Sequence, residues 1–102
     1  MRQFDFYENP FVTSRAIAPY LVVLTSHLLR QTDVVIVAPL VRNRERPIGE
    51  IEVCLAVESE DLILVLAEMA GLETKVLKRR VGSLADYEDE IRRGLSRAFT
   101  GF

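Results

Sequence analysis

The chain has 102 residues, 49% hydrophobic and 27% charged, the balance of a globular fold with room for one core. Thirteen basic against fifteen acidic side chains give a net charge of −2, so no global field draws it toward nucleic acid or anionic lipid. One cysteine, Cys54, excludes an internal disulfide; without a spanning apolar run of about twenty residues or a signal-peptide pattern, we expect one domain (1–102), cytoplasmic and off the membrane.

QFDFYE sets Phe4 and Phe6 two apart among polar neighbours, a half-buried strand that Asn9-Pro10 breaks. PYLVVLTS (19–26) is β-branched and aromatic, with Pro19 tolerable at a first strand position. VVIVAPLV (34–41) is a third strand, and Pro39, lacking an N–H, puts part of it at an edge or a bulge. RNRERPIGE (42–50) is a polar connection with a short turn of helix. IEVCLAV and DLILVLAE read as a hairpin around the acidic ESED (58–61), and their imperfect alternation predicts cover on both faces. LILVLAEMA also fits a helix; the polar turn before it and Gly71 after it favour strand. TKVLKRRV (74–81) is a last, charged strand with Val76 as its core residue.

The ending changes period. Ser83 is an N-cap, with Asp86 three residues on as in a capping box. Leu84, Tyr87, Ile91, Leu95, Ala98 and Phe102 then recur at spacings of three and four, one stripe of a helix. Acids crowd its first turns and Arg92, Arg93 and Arg97 its later ones, the order the helix dipole favours. Gly94 inside it calls for a close approach by another element or is simply tolerated, and Gly101 is a natural stop. The expected fold is mainly β, five or six antiparallel strands followed by one amphipathic C-terminal α-helix.

Catalytic constellations are scarce. His27 is the only histidine and stands in no metal-ligand spacing, which suits a surface or interface residue. Cys54 lies mid-strand among apolar neighbours, the setting of a buried, inert thiol. Glu58, Glu60 and Asp61 share one turn, the composition of a solvated loop. Arg42, Arg44 and Arg46 with Lys75, Lys78, Arg79 and Arg80 could meet as a phosphate patch, but neither stretch holds an aromatic for base stacking. Acidic protein segments suit such arginines equally well. No metal or cofactor is expected. Phe99 and Phe102, three apart at the helix end, either fold into the core or offer apolar surface to a second chain.

In order and spacing, the sequence resembles the CcdB family, the toxin halves of plasmid-type toxin–antitoxin modules. The resemblance runs from Gln3 and Phe4 through LVVLTSHLL (21–29), Val37, Pro39 and Leu40, then continuously from EMA (68–70) to the end. It implies an SH3-like antiparallel β-barrel of the CcdB/MazF type with one C-terminal helix, forming a homodimer. It further implies a non-enzymatic toxin that binds the gyrase A protein of DNA gyrase, traps it on cleaved DNA, serves plasmid maintenance and is neutralised by a CcdA-like antitoxin. Neither direct sequence-specific DNA binding nor a membrane is implied. The gyrase-facing positions it implies are Thr100, Gly101 and Phe102 at the terminus, Glu88, Asp89, Arg93 and Ser96 on the helix, and Leu28 and Leu29 after the second strand.

The sequence departs from the family pattern at instructive places. The usual Phe-Trp-Gly-Ile ending is here Phe99-Thr100-Gly101-Phe102, so the target-stacking tryptophan is a threonine and the last isoleucine a phenylalanine. Losing so large a ring removes roughly 1–3 kcal/mol of binding, which Phe102 could restore two positions later. Arg93 and His27 stand where the family has an uncharged amide and an acid. Two alternatives follow. One is a MazF-like endoribonuclease on the same barrel, whose N-terminal RGD-x-V signature this chain lacks; the other is a homologue that binds antitoxin but has lost gyrase poisoning.

Overall fold

Seven short strands and one helix account for most of the computed structural model, which describes residues 1–25, 33–42 and 52–100. The strands are β1 (Asp5–Glu8), β2 (Tyr20–Val23), β3 (Val34–Arg42), β4 (Glu52–Val57), β5 (Glu60–Val65), β6 (Ala70–Glu73) and β7 (Arg80–Ser83); the helix is α1 (Glu88–Thr100). All pairings are antiparallel, in the order β4-β5-β3-β2-β1-β7, with β6 also on β3. This is the mainly β, curled sheet with a C-terminal helix that the sequence leads one to expect.

The strand β3 carries the fold because both its faces are covered. Ala38 and Leu40 join Phe4, Phe6, Val22, Leu64 and Ile91 in the main core beneath α1. Val35 and Val37 face the other way, with Tyr7, Leu21, Val23 and Leu77. Pro39 is therefore not on an edge strand. Its place is nevertheless special: β3 pairs Val37 with Ala70 of β6 and Leu40 with Leu64 of β5, so three steps on β3 face six on the opposing segment. The surplus is taken up by a 3-10 turn, Leu66–Glu68. Ile36 accepts from the Leu24 N–H on the β2 side, so by alternation Pro39 would direct its missing N–H into that interruption, where no ladder bond is lost.

The hairpin β4–β5 forms as expected, on a two-residue turn, Glu58 and Ser59, both left-handed at φ 51° and 68°. Double positive φ matches the twist of the flanking strands, at some steric cost for non-glycine residues. Two expectations fail here and nearby. In β4, Val53, Leu55 and Val57 are buried while Cys54 and Ala56 face solvent, so only β5 is covered on both faces and Cys54 is an exposed thiol. The segment 74–81 is not one strand: a 3-10 turn (Thr74–Val76) precedes β7, and the buried anchor is Leu77, with Val76 only half-buried.

The strand β1 is more enclosed than its alternation suggests. Phe4 and Phe6 point to one core, Tyr7 to the other, and Asp5 is only 4% exposed. The carboxylate of Asp5 accepts from Arg80 at 3.1 and 3.3 Å and from the Arg2 N–H at 3.1 Å, which offsets its desolvation. Against β7 the register slips between Phe6 and Tyr7, leaving Val81 as the extra residue of a bulge on β7 next to Gly82, where a Cβ would stand 3.0 Å from the Phe6 ring.

Candidate functional site

The C-terminal helix is positioned from both ends of the chain. Ser83 closes β7, and its hydroxyl accepts from the Ala85 N–H at 3.2 Å; a 3-10 turn (Ala85–Tyr87) then leads into α1. This is a local serine turn and not the expected helix cap: the N-cap of the 3-10 turn is Leu84, which makes no side-chain cap bond, and α1 begins only at Glu88. The Tyr87 hydroxyl accepts from the Ala56 N–H at 3.3 Å, tying the turn to the outer edge of β4. Arg92 holds the N-terminal segment: it donates to Glu88 at 3.0 Å and to Gln3 at 3.3 Å and lies 5.5 Å from the Phe4 ring centroid. Nothing in the spacing of Gln3, Phe4 and Arg92 announces that contact.

Ile91 is fully buried and Leu95 half-buried beneath the helix, and Gly94 meets the barrel closely. A Cβ on Gly94 would stand 2.6 Å from Leu66 Cδ1 and 3.3 Å from Val53 Cγ2, the close approach the sequence called for. The buried stripe ends there. Ala98 is exposed, and Phe99 is 75% exposed, so the last turn leaves the barrel instead of plugging it.

On the side of α1 opposite Ile91, Asp89, Arg93, Ser96 and Thr100 recur at spacings of four, three and four, all exposed. The Thr100 hydroxyl donates to the Ser96 carbonyl at 2.6 Å, which leaves its methyl as the outward feature. Glu88 is half-buried, off this stripe, and engaged with Arg92. Leu28, Leu29, Gly101 and Phe102 lie outside the described residues, as do His27, Arg44 and Arg46. Beside Arg93 a cleft of about 330 Å³ opens between α1 and β4, bordered by Cys54, Glu90 and Arg97. The stripe offers charge and hydrogen bonds, and the exposed Phe99 flanks it at the C-terminal end, three positions after Ser96.

Several of the other sequence candidates resolve into structural pairs. Glu60 of the acidic turn binds Arg42, which also donates to the Ala16 carbonyl at 3.0 Å. Arg80 is bound to Asp5 and Lys75 lies 3.2 Å from Glu73. Among the described residues no group of histidine, cysteine or acidic side chains could hold a metal ion, and no helix is long and apolar enough to cross a membrane.

Comparison with known proteins adds the family. A family model described as CcdB protein matches residues 3–101. No curated protein matches the chain in sequence. Among solved structures, an endoribonuclease in complex with its cognate antitoxin from Mycobacterial species superimposes with a TM-score of 0.76 at 13% identity, covering 96% of this chain and 93% of that one. An Mtb toxin gives 0.68 at 21% identity over 81% and 96% of the two chains. The Mycobacterium tuberculosis toxin MazF-mt6 gives 0.65 at 20% over 82% and 93%. At such identities the likeness is one of fold.

Proposed function

From the premise that the chain belongs to the CcdB family of toxin–antitoxin toxins, we propose that it is a single toxin domain acting as a homodimer on the gyrase A protein of DNA gyrase. Binding uses the outer face of α1 and its last turn, and a CcdA-like antitoxin neutralises it. The observation that carries this reading is the exposed final turn. Phe99 is 75% in solvent although its helix is anchored by Ile91 and Gly94, and covering a phenylalanine is worth about 1.5–3 kcal/mol to whatever partner does so. Ser96, three positions before Phe99, is its neighbour on the helix surface, and Arg93 and Asp89 extend the polar stripe away from it. Such a surface inhibits by occupation: it holds gyrase on its cleaved DNA and makes or breaks no bond of its own.

Thr100 sets the strength. With its hydroxyl turned back to Ser96 it presents a methyl where the family carries a flat ring, so binding is weaker by roughly 1–3 kcal/mol. The fold likeness to endoribonuclease toxins favours a second reading, RNA cleavage. A gyrase cleavage assay run beside an RNA cleavage assay separates the two. The expected outcome is linear DNA that accumulates only with gyrase and added protein, with RNA intact. Cut RNA and unaffected gyrase would transfer the protein to the second reading; inactivity in both would leave a homologue that binds only antitoxin.

A further inference from the structure

The basic run 75–80 looks unsuited to nucleotides in sequence because it carries no aromatic, and the fold supplies one from elsewhere. Between the β1–β2 connection and the β6–β7 connection lies a cleft of about 670 Å³. Arg15, Lys75, Lys78 and Arg79 line it, and Pro10, Phe11 and Val76 give it apolar walls. Its volume falls in the range of small-molecule sites, about 300–1,000 Å³.

The cleft is built by buried anchors on both sides. Asn9, 2% exposed, donates through Nδ2 to the Ser14 hydroxyl at 2.9 Å and the Ala18 carbonyl at 2.8 Å, while its Oδ1 accepts from the Phe11 N–H at 2.9 Å. That network fixes the loop and leaves the Phe11 side chain half in solvent, at 49% exposure. Opposite, Leu77 is buried in the second core, and the Glu8 N–H donates to the Arg79 carbonyl at 2.9 Å, clipping the two segments together.

The charge is one-sided. Among the described residues the only carboxylate lining the cleft is Glu8, which lies 3.6 Å from Arg15 and 3.3 Å from Arg79 and so orients both guanidinium groups. Lys78 makes no ion pair among the described residues. Cations from both connections and an accessible aromatic are the two elements that nucleotide binding uses, electrostatic contact for the phosphate and a stacking face for the base. An acidic peptide would use the first and have no need of the second.

We propose that this cleft binds a nucleotide unit, its phosphate among Arg15, Lys78 and Arg79 and its base on Phe11. The site shares no residue with the outer face of α1 and does not depend on gyrase binding. The test is fluorescence anisotropy with a short labelled single-stranded RNA, on native protein and on the exposed-site variants Phe11→Ala and Lys78→Glu, whose melting temperatures serve as controls. Native protein should bind with a shallow log–log salt slope, about −0.7, the share of one neutralised phosphate of a single strand. Phe11→Ala should weaken binding at least about fivefold, and Lys78→Glu should weaken it and flatten the salt slope. Displacement of the RNA by adenosine monophosphate at similar affinity assigns a free nucleotide as ligand; affinity that grows with strand length assigns a polynucleotide. The proposal falls if RNA does not bind or if both variants bind as the native protein does. It falls equally if inorganic phosphate competes as well as adenosine monophosphate, or if an oligo-aspartate peptide binds more tightly than RNA.

Discussion

Tyr7 shows how one residue's surroundings become a stability statement. Burial pushes its phenol above the ordinary value, the Asp5 charge pushes it further, and Arg80 partly opposes both. An unfolded tyrosine ionises near about pH 10. As pH rises through that value the unfolded chain releases its proton first, so Tyr7's contribution is complete below about pH 10 and is lost as pH climbs toward the folded value. Urea melts should therefore show stability falling above about pH 10, and Tyr7→Phe should flatten that fall; an unchanged slope would mean that other groups govern it. Little of this was legible in QFDFYE. Asp5 reads as a solvent-facing partner of Phe4 and Phe6, and its tie to Arg80 spans 75 positions of sequence. Cys54 misleads in the opposite sense, because apolar neighbours in sequence lie on the other face of β4.

At the scale of elements, the strongest periodic signals were the most faithful. The β4–β5 hairpin and the body of α1 follow from an acidic turn and from Ile91 and Leu95 on one stripe. What sequence did not carry was where a strand is interrupted. The sequence reading ends that strand at Gly71, yet Leu66–Glu68 turns out of the ladder opposite Pro39 and Gly71 lies inside the additional strand β6. The thread from Ala70 to Ser83 divides similarly, because Leu77 must reach the second core. Gly94 tests how α1 is seated. Alanine gains about 1 kcal/mol of helix propensity but presses a Cβ into Leu66, itself fully buried, and overpacking costs about 1–3 kcal/mol. Gly94→Ala should thus lose about 1 kcal/mol net and melt roughly 4–8 °C lower; a raised melting temperature would show that Leu66 has room to turn aside.

At the scale of the whole molecule, the distribution of burial separates structure from recognition. The sheet, its cores and the inner face of α1 as far as Leu95 are consumed in folding, while the last helical turn and the stripe Asp89, Arg93, Ser96, Thr100 stay outside. A fold shared with endoribonuclease toxins does not choose the target; surface residues do. The family was readable because its order of strands, proline and closing helix survives, whereas Thr100 and Arg93 had to be judged by what they present. Calorimetric titration of the gyrase A protein into the native toxin and into Ser96→Arg, a substitution at the centre of the outer face, addresses the claim most directly. The account predicts binding by the native chain and, at an unchanged melting temperature, an affinity at least about tenfold lower for the variant, the scale of a lost interface hot spot. Equal affinities, or no binding by the native protein, would contradict it.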